Sequence, residues 1–336
     1  MPAKIPLPKP LFVNTNGIRM AVYEDGEGFP IVFCHGYPEL AYSWRSQISA
    51  LSLAGFHAIA PDQRGYGLTE IPESVDAYTI QQLCADLVGL LNYFRIKRAV
   101  FCGHDWGGAV VWMMPKLYPD RVAGVIGINT PYMPRAPLPT TQLLEQVYSK
   151  DHYIVEFQRS DYSDKLMAKD VRKSFKFMYG KKLWDIEGFQ KEPADSPWRN
   201  LELNKLLEAY DESDDELLVP EEQLDFFMET FEKTGFTGGI NWYRNVDKNW
   251  ETTADLDDKI NVPCLYVGAD NDVVLQPSMM DNAEQWIPDL EKQTITDCSH
   301  WTQQQKPEEL NKIIVDWMQR KFGNWKGVLN IPRQSE

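Results

Sequence analysis

Val100-Phe101-Cys102-Gly103-His104-Asp105-Trp106-Gly107-Gly108-Ala109-Val110-Val111-Trp112 begins as an apolar run and ends in a tight Gly-x-Asp-x-Gly-Gly turn. Apolar residues then recur at helical spacing, so the stretch reads as strand, sharp elbow, helix. Small residues on either side let strand and helix approach closely and thrust the middle residue out at the end of a sheet. In the serine form of this elbow that middle residue is the nucleophile; here it is Asp105. A carboxylate, with a reference pKa of about 3.9, is ionised at neutral pH and attacks carbon without a base to deprotonate it first.

That choice of nucleophile narrows the chemistry. A serine that displaced oxygen or halogen from an sp³ carbon would leave an ether, which water at a protein site does not readily cleave. Aspartate leaves an ester, which water can attack at the carbonyl carbon. The elbow therefore suits the two-step opening of an alkyl electrophile and is poorly suited to proteolysis. The neutral reading of Asp105 is a cap for the helix that follows it.

Upstream, Leu11 to Val22 carries Asn16-Gly17 between apolar segments and predicts a β-hairpin. Pro30 to Cys34 is a continuous apolar strand that runs into His35-Gly36-Tyr37-Pro38-Glu39, an abrupt turn suited to aiming backbone N–H groups at something. A helix over about 41–53, a strand over 56–60 and a helix over 79–94 lead into the elbow strand, and 122–128 is a further buried strand. The loop Asp62-Gln63-Arg64-Gly65-Tyr66-Gly67 reads as structural. Alternating strands and helices imply a mainly parallel sheet with right-handed crossovers.

The pattern changes at Pro131, Pro134, Pro137 and Pro139, four prolines that mark the chain leaving the sheet. From about 140 to 245 helical stripes replace apolar strands, which predicts an inserted helical cap. The expected division is a first core part over 1–135, a cap over 136–245 and a second core part over 246–336. Within the cap, the run Asp211 to Glu216 reads as a solvated acidic loop. Strands resume at Pro263 to Gly268 and at Gln293 to Ile295, and an amphipathic helix over 307–320 precedes a C-terminal extension, 323–336.

Composition sets outer limits. The 336 residues are 43% hydrophobic, enough for a large core, and the formal charge of −15 disfavours nucleic acid or an anionic membrane as partner. Five cysteines without a close C-x-x-C pair, three of them (Cys34, Cys102, Cys264) inside apolar runs, read as reduced core thiols. Met1 to Pro6 has no signal-peptide apolar stretch and no uninterrupted run of about 18 apolar residues occurs, so the expectation is a cytoplasmic protein without a membrane partner. No H-E-x-x-H, paired cysteines or dinucleotide glycine fingerprint is present, and neither metal nor cofactor is expected.

Both post-cap strands end in polar residues of the kind a nucleophile needs. Ala269-Asp270-Asn271-Asp272 follows one and Asp297-Cys298-Ser299-His300-Trp301 the other, giving the chain order nucleophile, acid, histidine. Strand C-terminal ends in such sheets converge on one crevice. Asp270 and Asp272 compete as the acid, and the run Val273-Val274-Leu275 favours Asp272 by placing it at the end of the turn. A lone histidine is by default structural, but His300 stands in a Ser-His-Trp turn after the last strand.

The motifs His35 to Glu39, Asp62 to Gly67, Gly103 to Gly108, Asn241-Trp242-Tyr243-Arg244-Asn245, Gly268 to Leu275 and Ser299-His300-Trp301 together carry a resemblance. From about Phe12 to Lys321 the chain resembles an α/β-hydrolase-fold epoxide hydrolase, close to the hydrolase domain of the soluble epoxide hydrolases. The resemblance implies a mostly parallel sheet flanked by helices, with a cap. It makes Asp105 the nucleophile, His300 with Asp272 the water-activating pair, and Tyr243 an acid toward the epoxide oxygen. The second cap tyrosine is then Tyr153, with Tyr148 and Tyr162 nearby. The backbone N–H groups of Tyr37 and Trp106 form the oxyanion hole. The expected substrate is a small hydrophobic epoxide, opened with water to a vicinal diol, and His35, Pro38, Trp106, Tyr153, Tyr243 and Trp301 are expected to surround it. The enzyme is expected to be a monomer or homodimer.

The alternatives are a haloalkane dehalogenase, another hydrolase of this fold with an aspartate nucleophile, or a binding protein on the same scaffold. A dehalogenase needs two side-chain N–H donors for the halide; Trp106 could be one, but Gly36 stands where asparagine often serves. A fluoroacetate-type site would carry a charged residue where Trp106 begins the elbow helix. A receptor has no use for nucleophile, acid and histidine together.

Overall fold

The computed structural model describes residues 6–324. Its strands are β1 (Leu11–Thr15), β2 (Ile18–Asp25), β3 (Phe29–Cys34), β4 (Phe56–Pro61), β5 (Ala99–His104), β6 (Val122–Ile128), β7 (Cys264–Ala269) and β8 (Leu290–Ile295). They form one sheet in the order β1-β2-β4-β3-β5-β6-β7-β8. Asn16 and Gly17 both take positive φ, as a two-residue hairpin turn requires, so β1 and β2 pair antiparallel. β2 also meets β4 antiparallel, and every pairing from β4 to β8 is parallel.

Helices cover both faces, which is why β3, β5, β6 and β7 are buried along their whole length. Alternate residues serve alternate faces. Ile31 and Phe33 of β3 join the core with Trp44, Leu51 and Trp317, whereas Val32 and Cys34 join the one with Leu83, Leu87 and Val110. On the first face lie α1 (Arg45–Leu53) and, by the chain's end, α14 (Pro307–Phe322), which pack together. On the second, α2 (Ile80–Tyr93) packs on α3 (Trp106–Leu117). The helix expected over 41–53 begins instead with a 3-10 turn, Ala41–Trp44, whose first N–H is held by Asp62.

Between β6 and β7 the chain is helical. The segment contains α4 (Thr140–Val147), α5 (Tyr153–Glu156), α6 (Ser163–Lys169), α7 (Val171–Tyr179), α8 (Ile186–Lys191), α9 (Leu203–Ala209), α10 (Glu221–Thr234), α11 (Thr237–Tyr243) and α12 (Val246–Thr252). A short α13 (Thr302–Gln305) precedes α14. The helical segment is seated on the loops of the sheet: Trp242 donates to the Arg64 carbonyl and Asn245 to that of Val75. Arg64 in turn grips Asp86 through two nitrogens in a buried ion pair. Glu212 and Glu216 of the acidic run pair with Lys176 and Lys181 at the surface.

All five cysteines are free and buried. Among the described residues no helix is long and apolar enough to cross a membrane, and no cluster of His, Cys, Asp and Glu could hold a metal. The N-terminal residues 1–5 and most of the expected C-terminal extension, 325–336, lie outside the described residues.

Candidate active site

Strand order reverses between β3 and β5: the chain leaves β3 for β4 on one side and returns to β5 on the other. A crevice opens at the C-terminal ends of strands where this happens. The loop after β3 supplies Tyr37 and the elbow after β5 supplies Asp105. Asp105 has φ 51° and ψ −122°, a conformation costly for a residue with a Cβ, on the order of 1–3 kcal/mol. The elbow can be this sharp because a Cβ on Gly107 would run into the backbone carbonyls of Cys34 and His35.

The strain aims the Asp105 carboxylate at two backbone donors. The Tyr37 N–H gives Oδ1 a 2.8 Å hydrogen bond, and the Trp106 N–H also bonds the carboxylate. Asp105 sits at the start of the 12-residue helix α3, whose positive end favours an anion. Burial nevertheless raises its pKa above the ordinary aspartate value; His300, His104 and the two N–H groups offset part of that rise. Its Oδ2 is 3.7 Å from His300 Nε2, too long for a hydrogen bond.

His300 is fixed by its other nitrogen. Nδ1 lies 2.9 Å from Asp272 Oδ2, and Asp272 is further held by the N–H groups of Val274 and Leu275 and by the Asn129 amide at 2.8 Å. Burial pushes the Asp272 pKa up, but His300 and these donors outweigh it and hold the carboxyl below 3.8. For His300, burial pulls the other way, yet Asp272, Asp105 and Glu39 raise it above 6.5. An ionised Asp272 accepts, so Nδ1 carries the hydrogen, and in the neutral ring Nε2 is left with a free lone pair. Asp270 instead binds the N–H groups of Asp297 and Cys298 and holds that turn.

From the helical segment, Tyr153 and Tyr243 face the same cavity as Asp105 and His300. Their rings lie 5.8 Å apart, and Tyr243 is wedged edge to face among Tyr37, Trp106 and Phe157. Burial, then the nearby Asp105 charge, pushes both phenols above their usual value, so both are proton donors at neutral pH. Tyr148 and Tyr162 are surface residues, 40% and 38% exposed, and do not line the cavity. The remaining wall is apolar, with Met167, Met178, Leu203 and Leu207 among its members.

Four residues expected around the substrate are not on that wall. His35 is fully buried with both nitrogens engaged, Nδ1 with the Gly36 carbonyl and Nε2 with the Gln63 N–H; burial drops its pKa to about 4, so it is a neutral loop brace. Pro38 is buried behind Tyr37 in the chain, across a cis peptide bond. Trp301 is spent on stacking against Tyr179 at 4.2 Å. The Trp106 ring packs against Trp242 and Tyr243, while its backbone N–H bonds the Asp105 carboxylate.

Other residues were not singled out from sequence. Asn129 directly follows β6, with positive φ, and lies beside Asp272; its place at a strand C-terminus was the available sign. His104 bridges Glu39 (2.7 Å) and the His300 carbonyl (2.7 Å), beneath the site. Burial would raise Glu39, but His104 and a Gly36 N–H pull it down to about 2. Trp184 lies flat on His300, and no local pattern in its sequence marked it.

A family profile described as the alpha/beta hydrolase fold matches residues 30–307. The chain is 41% identical to epoxide hydrolase A of Mycobacterium tuberculosis over 324 residues, 93% of this chain and 97% of that one. It is 38% identical over 310 residues to bifunctional epoxide hydrolase 2 of Mus musculus, covering 92% of this chain and 55% of the mouse protein. The crystal structure of epoxide hydrolase A from Mycobacterium thermoresistibile superposes with a TM-score of 0.84 at 37% identity, covering 93% of this chain and 98% of that one. That of VrEH1 from Vigna radiata gives 0.80 at 30% identity, with coverage of 93% and 98%.

Proposed function

Because the chain belongs to the epoxide hydrolases of the α/β-hydrolase fold, we propose that it opens a hydrophobic epoxide to a vicinal diol through an ester on Asp105. The observation that carries this reading is the convergence of Asp105, His300, Tyr153 and Tyr243 on one otherwise apolar cavity. Tyr153 and Tyr243 hydrogen-bond the epoxide oxygen and give it a proton as the ring opens, while Asp105 Oδ2 attacks one ring carbon. Oδ1 stays on the Tyr37 N–H, and the Trp106 N–H also holds the carboxylate.

His300 Nε2 then takes a proton from water as the water oxygen bonds to the ester carbonyl carbon. The carbonyl electrons move onto Oδ1, where the same two N–H groups stabilise the oxyanion. Collapse breaks the bond from that carbon to Oδ2, which leaves with the product and takes the proton from His300. The carboxylic acid left on Asp105 then ionises, and solvent returns a proton to the tyrosine that gave its own to the epoxide oxygen. One oxygen of Asp105 has then come from water. No metal or cofactor enters these steps.

The halide alternative is not favoured. A Cβ at Gly36 would collide with the Asp105 carboxyl, so no side-chain N–H donor can stand there, and the Trp106 indole is off the cavity wall. Turnover of styrene oxide and of a chloroalkane by wild type and Asp105→Ala tests the reading. Diol without halide release, abolished in the variant, is expected; halide release, or diol formed by Asp105→Ala, would refute it.

A further inference from the structure

We propose that Trp184 is a positioning residue for ester hydrolysis, holding the His300 ring in plane with its partners and favouring its protonated form. This rests on the role given to His300 above. The Trp184 and His300 rings are stacked, 4.6 Å between centroids and 5° between planes. Trp184 closes the short 3-10 turn Lys182–Trp184 and is nearly buried. Its own orientation is locked: its indole N–H donates to the Met178 carbonyl at 2.7 Å, and the same carbonyl accepts the Trp301 indole N–H at 2.9 Å. One backbone oxygen thus ties an indole from each side of the crevice.

His300 is boxed in as a result. Trp184 covers one face, Trp301 meets it at 85° with centroids 4.7 Å apart, and the His104 ring lies 4.8 Å away. With the imidazole packed this way, proton exchange is confined to its in-plane nitrogens. Nδ1 is committed to Asp272, so Nε2 is the one that faces Asp105 and the cavity.

The stack also bears on charge. An indole face carries negative potential and attracts a cation above it. When Nε2 takes the proton from water, the positive imidazolium lies against that face. The charged or titratable groups around His300 are Asp272 from the loop after β7, Asp105 from the elbow, and Glu39 and His104 from beneath. The helical segment brings the uncharged ring of Trp184 and, across the same cavity, the phenols of Tyr153 and Tyr243, which stay protonated at neutral pH. Loss of that ring removes a stabilising contact of the imidazolium and lowers the His300 pKa.

The test is the pH dependence of single-turnover ester decay in wild type, Trp184→Phe and Trp184→Leu, with His300→Gln as the reference for the underlying reading. In wild type, decay fails as pH falls and His300 becomes protonated. Trp184→Leu is expected to shift that midpoint down by about 0.5–1 pH unit, with Trp184→Phe in between. An unchanged midpoint overturns the proposal. So does an upward shift, which would mean that Trp184 acts by keeping water off His300. Should Trp184→Leu fail to fold, the Trp184→Phe midpoint decides: a downward shift supports the proposal and an unchanged one sinks it. Failure of His300→Gln to accumulate ester would instead remove the hydrolysis step itself, a result distinguishable from either.

Discussion

His300 Nε2 stands 3.7 Å from Asp105 Oδ2, while its Nδ1 is within hydrogen-bond length of Asp272. The histidine is tied to the acid and not to the nucleophile. On the proposed mechanism, attack by Asp105 then needs no proton transfer to His300, whereas deacylation does. His300→Gln is expected to form the ester and stall, seen by intact-mass measurement as the enzyme plus one substrate. In a single wild-type turnover in ¹⁸O-water, the label should appear in Asp105 and not in the diol. Label in the first diol, or normal turnover by His300→Gln, would remove the ester step.

The pH dependence follows from the same geometry. In the proposed mechanism the neutral imidazole is the base, and in the free enzyme its pKa is raised above 6.5 by Asp272, Asp105 and Glu39 against the opposing effect of burial. Ester decay is thus fastest with His300 deprotonated and declines as pH falls. Esterification removes the Asp105 charge, so the midpoint for decay should lie below the His300 pKa of the free enzyme; a midpoint above it, measured by stopped flow on pre-formed ester, contradicts this. Asp272→Asn should move it downward, because the anionic partner is gone.

Tyr153 and Tyr243 face one cavity and are proposed to serve one oxygen, so each variant should be partly covered by the other. Tyr243→Phe and Tyr153→Phe should each slow ester formation, and the double variant should lose about 10²-fold or more. Ester decay, which uses neither hydroxyl, should change much less. The discriminating measurement is pre-steady-state, with formation and decay read separately.

Gly36 is a site where no side chain fits, because its Cβ would meet the Asp105 carboxyl. Gly36→Ala is expected to leave a folded protein with the nucleophile displaced. Misplacement by about 1 Å can cost about 10²-fold, and the loss should fall on ester formation. Unchanged activity alongside an unchanged circular dichroism spectrum would show that the loop gives way instead.

Away from the chemistry, Arg64 and Asp86 form a buried ion pair, 5% and 2% exposed. Arg64→Leu leaves Asp86 buried with only its neutral partner Asn16. Breaking such a pair typically costs about 3–5 kcal/mol, readable as a lower urea midpoint. The double variant Arg64→Leu/Asp86→Leu should recover part of that loss.

Much of this molecule is written in short-range patterns. The elbow at Asp105 is legible because it depends on small residues a few positions away, and the hairpin because Asn16-Gly17 sets its own dihedrals. The buried parallel strands announce themselves by unbroken apolarity, a consequence of helices on both faces. Strand ends converge on one crevice, so chain order points to Asp105, to Asp270 or Asp272, and to His300, with the run Val273-Val274-Leu275 favouring Asp272. What tertiary structure decided is which side chains meet across long separations. His35 lies in a motif beside the nucleophile, yet its nitrogens are consumed by Gly36 and Gln63. Trp301 follows His300 directly, yet it stacks on Tyr179 and meets the histidine only at a right angle, and it is Trp184, from a turn without a distinctive local pattern, that lies flat on it. The physical reason is that periodicity specifies which face of an element is apolar, whereas the way the helical segment settles on the sheet is set by packing and hydrogen bonds, such as Trp242 to Arg64, between residues far apart in the chain.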